Sequence, residues 1–303
     1  MTKSAHVRIP HSCRQCATTL RTVLSVLFQP FRRRPYLDSV FRLVGLLSFS
    51  WVDIVQNCRA ACVGKCSDKL SGEHLVSQSL FLNDFVTVQG MPWCKDEPKR
   101  IGLSRLTAKI LCDRHNNALS PVDTAGAEAF ATIRELMKVL RVRKTLKPHI
   151  WKIRRYEIDG QGLERWFLKT LINVCCNGPT RIGRYSDTRG WPDQQLVEVA
   201  FGLKAFEGRA GLYSLFKVGE QINSNDDLAC VPILNAGDYI EGGFFRFRGF
   251  GFLLFLDPEV PRGNLSAIGL RSEDAGQFQL MFRQKHFRDV TGKYVSQIAT
   301  FRW

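Results

Sequence analysis

The sequence predicts a mixed α+β protein, with a compact unit over residues 58–142 followed by a mixed α+β domain over residues 149–303 that has a mostly antiparallel sheet. Three patterns support this class. Residues 120–143 and residues 162–176 repeat apolar side chains at helical spacing. After residue 195, apolar residues alternate with a period of two between turn residues, which is typical of strands joined by hairpins.

The composition is that of a globular protein with a strong positive charge. Of the 303 residues, 45% are hydrophobic and 23% are charged, which suffices for one large core or two ordinary ones. The formal net charge is +15. Lysines and arginines that contact phosphates release counterions, so this excess favours a nucleic acid, DNA or RNA, as the partner.

Residues 1–57 are predicted to be a basic extension with one or two helices. Residues 1–36 contain seven Lys or Arg and no Asp or Glu. The apolar stretch 40–55 is too short to span a bilayer and is interrupted by Arg42 and Asp53, so no membrane association is expected. A start codon assigned too far upstream would give the same composition.

The clearest helix signal lies in residues 120–143. Ser120 is a candidate N-cap, Pro121 occupies the first helical position, and Asp123 stands where a capping box places its acid. Apolar side chains then recur at helical spacing at Phe130, Ile133, Leu136, Met137 and Leu140. The pattern predicts a long helix that closes the first unit, and a basic linker, residues 141–148, follows it.

Residues 149–303 begin with an amphipathic helix, residues 162–176, and continue as strands. The strand-like runs are LVEVAFGL, GLYSLFKV, LACVPIL, FFRFRGFGFLLFL, QFQLMF and YVSQIATFRW. Cys175, Cys176 and Cys230 lie in apolar surroundings and are predicted to be small core residues. The sequence leaves the role of this domain open.

Ten cysteines are many for a chain in which no signal peptide is recognised. The expected location is therefore the cytoplasm, where clustered cysteines indicate a metal more often than a disulfide. Cys62 and Cys66 form one pair, and Cys112 and His115 form another. Two short pairs far apart in sequence supply the four tetrahedral ligands of a structural Zn²⁺ in many small domains. Cys58 is an alternative to Cys62.

An acid and a histidine, Glu73 and His74, stand between these pairs. The segments SGEHLVSQSLF and LCDRHNNALSPVD resemble the HNH endonuclease family, also called His-Me finger or ββα-metal nucleases. The matching residues are Cys62, Cys66, Glu73, His74, Cys112, Asn116, Leu119 and Asp123. The resemblance implies a zinc-stapled ββα-metal domain, in which strands near residues 70–77 and 110 form a hairpin and the helix after Asn116 packs across it.

The resemblance also implies an enzyme, a metal-dependent endonuclease that hydrolyses phosphodiester bonds in DNA. His74 would be the general base, because an imidazole takes up and releases protons near neutral pH. Glu73 and Asp123 would hold one Mg²⁺ or Mn²⁺ on the scissile phosphate. Asn116 would orient the loop that carries His74. The zinc would be structural, because protein side chains fill all four of its positions.

The chain departs from the family pattern at four points. Its first pair is C-x3-C, its last zinc ligand is His115 rather than a cysteine, and Ser120 stands where the family often has glycine. The final histidine of the family is absent, and Asp123 would take its place as a metal ligand. A carboxylate suits Mg²⁺, but Asp123 is equally explained as the capping-box acid of its helix.

The insertion between the two zinc pairs is basic. Four of its cationic residues are candidate nucleic-acid contacts, namely Lys95, Lys99, Arg100 and Arg105. Trp93 lies among them, and basic residues beside an aromatic suit a surface that follows a phosphate backbone. A solvated loop is the alternative for each of these residues.

Three functions are therefore compared. The first is an HNH-type endonuclease that requires His74. The second is a zinc-stapled module that binds nucleic acid without cutting it, which the missing histidine favours. The third places the function in the second domain, whose segment GGFFRFRGFGFLLFLDP would bind a partner. Ordinary core is the favoured explanation of that segment, because alternating apolar residues mark a buried face.

Overall fold

A computed structural model of the chain describes most of the sequence after residue 56. The described residues are 57–89, 91, 94, 97–143, 147, 152–217, 228–235, 237–247, 250–259, 278–291 and 294–303. They belong to one compact unit, Leu46–Trp303. The basic extension predicted for residues 1–57 falls almost wholly outside the described residues, and so do Trp93, Lys95 and half of the predicted linker.

The described chain is mixed α+β with mostly antiparallel sheets, as the sequence predicts. The strands are β1 (Leu70–His74), β2 (Phe85–Val88), β3 (Lys99–Gly102), β4 (Thr107–Cys112), β5 (Arg154–Asp159), β6 (Arg181–Ile182), β7 (Gly211–Lys217), β8 (Leu228–Leu234), β9 (Tyr239–Phe247), β10 (Phe250–Phe255), β11 (Phe278–Phe282), β12 (His286–Thr291) and β13 (Tyr294–Arg302). The α-helices of the described residues are α1 (Asp113–Ala118), α2 (Ser120–Arg143), α3 (Gly160–Cys175) and α4 (Gln194–Ala200). None of the helices in these described stretches is both long enough and apolar enough to cross a membrane.

The strands form four sheets. The largest has the order β11-β7-β10-β9-β6, and β8 also pairs with β9. A second sheet has the order β12-β13-β5, in which β13 and β5 run parallel. Two antiparallel pairs, β1 with β4 and β2 with β3, lie in the first predicted unit. Strand β4 is followed directly by α1 and α2, and β2 and β3 lie between β1 and β4 in sequence.

Helix α3 is the centre of the hydrophobic core. The Asp159 carboxylate accepts a hydrogen bond from the Gly162 N–H at 2.9 Å and caps its N-terminus. Thirteen of its sixteen residues are buried, so the helix is enclosed rather than amphipathic. The Phe167 ring lies 4.5 Å from the Phe245 ring and 5.0 Å from the Phe252 ring, which packs α3 against β9 and β10. The phenylalanine-rich segment is therefore core, as favoured from the sequence.

The two predicted domains share this core. The ring centroids of Phe130 in α2 and Trp166 in α3 are 4.8 Å apart, although the predicted linker separates the two residues in sequence. One cluster of buried residues contains Cys112 and Phe130 together with Phe167 and Phe245. The chain from β1 to β13 therefore folds around a common interior, although a boundary near residue 142 was predicted.

One predicted strand is wrong. Residues 196–203, the run LVEVAFGL, lie mostly in helix α4. The Asp193 carboxylate accepts a hydrogen bond from the Leu196 N–H at 3.1 Å and so starts a helix. The apolar residues Leu196, Val197 and Ala200 are buried at helical spacing, so tertiary packing overrides the strand preference of the two valines.

The contact between α2 and α3 depends on Gly126. A Cβ at this position would lie 2.3 Å from Cδ1 of Trp166. Alanine in a helix is normally more favourable than glycine, but here it would overpack the core. We predict that Gly126→Ala lowers the free energy of unfolding by about 1–3 kcal/mol in urea titrations, whereas Ala131→Ser on the exposed side of α2 has little effect. An increase in stability in Gly126→Ala would contradict this packing.

Candidate functional site

Three cysteines and one histidine converge beside the β1–β4 pair. The ligand atoms of Cys58, Cys66, Cys112 and His115 all lie within 4.8 Å of one another. Nδ1 of His115 is 3.3 Å from Cys58 Sγ, 3.3 Å from Cys112 Sγ and 3.8 Å from Cys66 Sγ. Ligands of a tetrahedral Zn²⁺ are separated by roughly 3.5–3.8 Å, given typical bond lengths. The Cys3His cluster could therefore hold a metal such as zinc.

The cluster contains Cys58, the alternative from the sequence, in place of Cys62. Cys58 precedes a short 3-10 turn, Ala61–Val63, and the Arg59 N–H bonds the Ile110 carbonyl at 2.7 Å. This bond fastens the start of the loop to β4 and brings Cys58 to Cys112. Cys62 lies inside the turn with its side chain exposed. The sequence analysis favoured Cys62 because it is closer to Cys66, and the 3-10 turn Ala61–Val63 could not be predicted from the sequence.

Hydrogen bonds from the surrounding backbone orient the ligands. Nε2 of His115 lies 2.9 Å from the Gly64 carbonyl oxygen, which leaves Nδ1 free for a metal. Gly64 adopts a φ of 78°, in the left-handed region that glycine tolerates best. The Ser67 N–H donates to Cys112 Sγ at 3.4 Å, and the Cys112 N–H donates to Cys58 Sγ at 3.4 Å. Such contacts are the usual second layer of a metal site.

The acid–base properties of the four side chains suit a metal in different degrees. Burial raises the pKa of Cys58 to about 12 and also raises the pKa of Cys66. Burial acts in the same direction on Cys112, but N–H donors from His115 and Ser67 bring its pKa below the ordinary value. Burial lowers the pKa of His115, which favours the neutral imidazole that a metal requires. A bound Zn²⁺ would deprotonate the thiols.

A second group of side chains, which are polar, surrounds Lys169 of α3 and includes Glu73 of β1. We call it the Lys169 cluster, and its members are Glu73, Ser77, Asp123, Trp166, Lys169 and Asn173. Its central contact is an ion pair in which Lys169 Nζ lies 2.6 Å from Glu73 Oε1, and the exposed fractions of these two side chains are 3% and 2%. Burial raises the pKa of Glu73, and the charge of Lys169 opposes that shift.

Asp123 completes the ion pair from the first turn of α2. Its carboxylate oxygens lie 2.7 and 2.6 Å from Lys169 Nζ. Ser77 donates a hydrogen bond to Asp123 Oδ1 at 2.5 Å, and the Trp166 indole donates to Ser77 Oγ at 2.7 Å. The Asp123 side chain is 31% exposed, so the cluster opens to solvent on this side.

The strand that carries His74 is held by Asn173. The Asn173 amide donates to Glu73 Oε1 at 3.0 Å and to the His74 carbonyl oxygen at 3.1 Å. The Asn116 side chain makes no hydrogen bond with any residue that the structure describes. Among the described residues, the side-chain amide that contacts the His74 backbone is therefore that of Asn173, on α3.

His74 ends β1 next to the Lys169 cluster. The residue is half-buried, and its Nε2 has no hydrogen-bond partner among the described residues. Within the strand it pairs with Thr107 of β4. This Nε2 atom is buried, and a buried polar atom without a hydrogen-bond partner is unusual in a folded protein.

The predicted basic surface is partly visible. Lys99 and Arg100 are exposed on β3, and Arg105 is exposed in the turn that follows. The Arg100 guanidinium lies 4.9 Å from the centroid of the Phe85 ring, and Phe85 is 57% exposed. This pairing of a cation with an exposed ring suits contact with a phosphate and a base.

Sequence reasoning missed Lys169, Asn173, Ser77 and Trp166. Three of them lie on one face of α3, where positions three and four apart are neighbours. A buried lysine and asparagine within an apolar helix are unusual enough to indicate a polar partner. No pattern in the sequence, however, indicates that their partners are Glu73 and Asp123 from the first unit.

Comparisons with protein-family models, with curated proteins and with solved structures find no match for this chain.

The Cys3His cluster generates a prediction about metal content. Purified protein is expected to carry about one Zn²⁺ per chain by elemental analysis. Cys58→Ser should abolish zinc retention and lower the melting temperature, because metal binding contributes directly to folding. The matched control Cys62→Ser, a few residues away in the same loop, should retain both. Zinc retained in Cys58→Ser and lost in Cys62→Ser would contradict the cluster.

Proposed function

We propose that the protein is an HNH-type endonuclease that hydrolyses phosphodiester bonds in DNA, with His74 as the general base and a zinc-stapled ββα-metal domain as its framework. RNA has the same reactive group and is a possible substrate of the same site. The observation that carries the proposal is a convergence. Glu73 and Asp123, two residues singled out from the sequence, both contact Lys169 although 50 residues separate them, and Asn173 of the same cluster holds the carbonyl oxygen of His74, the residue after Glu73.

The proposed reaction requires a water to be deprotonated in line with the leaving oxygen. The His74 imidazole would accept that proton, while the water oxygen forms a bond to phosphorus, the bond to the leaving oxygen breaks, and the leaving oxygen takes up a proton from solvent. Asn173 would hold the backbone of His74 in position through its bond to the carbonyl oxygen. The exposed Arg100 and Phe85 would bind the nucleic-acid backbone and a base away from the site of cleavage.

The resemblance also implies one Mg²⁺ or Mn²⁺ on Glu73 and Asp123. The residues do not fit a divalent ion as they stand, because the Lys169 ammonium already contacts both carboxylates. The reaction described above therefore includes no step on a divalent ion.

The second candidate function is a zinc-stapled module that binds nucleic acid without cutting it. The Lys169 ion pair favours this alternative, since it gives Glu73 and Asp123 a structural role. Both candidates require the Cys3His cluster and a basic surface. Only the endonuclease requires His74.

Plasmid cleavage tests the proposal. The native protein is incubated with supercoiled and linear DNA, with added Mg²⁺ or Mn²⁺ and with neither ion, and is compared with His74→Ala. His286→Ala is the matched control, because His286 is an exposed histidine on β12. We expect the native protein and the control to cleave, and we expect His74→Ala to lose at least about 100-fold in rate, the usual contribution of a general base.

Zinc content and DNA binding decide between the two candidates when cleavage is absent. If neither protein cleaves but both bind DNA and retain zinc, the endonuclease is excluded and the binding module stands. If His74→Ala cleaves as fast as the native protein, His74 is not the base.

A further inference from the structure

Lys169 lies where a divalent ion would have to bind. Its Nζ is 2.6 Å from Glu73 Oε1 and 2.6 Å from Asp123 Oδ2. It also lies 2.7 Å from Asp123 Oδ1. Carboxylate oxygens from two residues that converge on one point are the ligands of a hard cation such as Mg²⁺. In this chain the ammonium group occupies that point.

The neighbouring side chains complete the arrangement around the ammonium. Asn173 donates a hydrogen bond to Glu73 Oε1, the oxygen that contacts Lys169. Ser77 donates a hydrogen bond to Asp123 Oδ1, one of the two Asp123 oxygens that contact Lys169. The carboxylates are thus oriented toward Lys169 by donors on both sides. Moving the ammonium away would leave a carboxylate of only 2% exposure without its counter-ion, which is strongly unfavourable.

We infer that Lys169 is the resident cation of this site, and that Glu73 and Asp123 bind no Mg²⁺ or Mn²⁺ while its ammonium is in place. The inference deepens the proposed function and rests on it for the identity of the site. It implies that hydrolysis by His74 would need no added divalent ion. The Lys169 ammonium of α3 would then supply the positive charge that a divalent ion bound from solution would otherwise supply.

Binding of Mn²⁺ alone to the zinc-loaded full chain tests this inference without any nucleic acid. Free Mn²⁺ is measured by electron paramagnetic resonance during titration of the native protein, Lys169→Met and the exposed-lysine control Lys138→Met. Methionine has a similar length and no charge. We expect no Mn²⁺ site at Glu73 and Asp123 in the native protein or the control. Lys169→Met should bind Mn²⁺ at least about tenfold more tightly, because one buried positive charge has been removed.

The outcomes separate the inference from the proposed function. Mn²⁺ binding by the native protein that disappears in Asp123→Asn would overturn the inference, whether or not the protein cleaves DNA. Folded Lys169→Met that gains no Mn²⁺ site would also overturn it. If Lys169→Met fails to fold, the native protein and Asp123→Asn still decide, since they leave Lys169 in place. Absence of cleavage in the plasmid assay would overturn the proposed function alone.

Discussion

The convergence of Cys58, Cys66, Cys112 and His115 is the constraint on which the position of the candidate site depends. The loop that joins the first two cysteines contains one 3-10 turn and little other regular structure. Structural zinc contributes about 10–16 kcal/mol in small domains, whereas whole domains are stable by about 5–15 kcal/mol. A metal in this cluster would therefore decide whether the loop is fixed to β4. Because β1 pairs with β4, it would also fix the strand that carries Glu73 and His74.

The Lys169 cluster joins this unit to the rest of the chain. Lys169 and Asn173 project from α3, which is also the centre of the aromatic core, and they contact residues of β1 and α2. Removing one partner of a buried ion pair commonly costs about 3–5 kcal/mol, because the other charge is left without compensation. The polar contacts therefore specify one orientation of α3 against the first unit, and the aromatic contacts supply the buried area. The backbone of His74 is coupled to the packing of α3 in this way, through the Asn173 amide.

Much of the fold followed from patterns that the sequence displays locally. The long helix α2, the enclosed helix α3 and most of the strands after residue 205 were predicted from periodicity. The helix that contains most of residues 196–203 was not predicted, because its two valines favour a strand. The residue that indicates a helix is Asp193, which caps its N-terminus. The choice between Cys58 and Cys62 depends on the 3-10 turn Ala61–Val63, and the spacing of the cysteines does not predict that turn.

Only those residues of the candidate site that lie in the first predicted unit could be predicted from the sequence. Glu73, His74 and Asp123 were singled out because they stand near possible metal ligands. Lys169 and Asn173 were missed, since they lie about 100 residues from Glu73 and read as part of an apolar helix. Long-range polar partners of this kind leave no periodic signal. For Asp123 the sequence left a metal ligand and a capping-box acid as the two explanations, whereas its carboxylate contacts Ser77 and Lys169.

X-ray absorption at the zinc edge of the purified chain tests the central claim, that a Cys3His metal centre anchors the site, most directly. The account predicts one metal environment with three sulfur ligands at about 2.3 Å and one nitrogen ligand at about 2.0–2.1 Å. It also predicts that the sulfur count falls in Cys58→Ser and stays at three in Cys62→Ser. A shell of four sulfurs, or a shell of nitrogen and oxygen ligands alone, would contradict the claim.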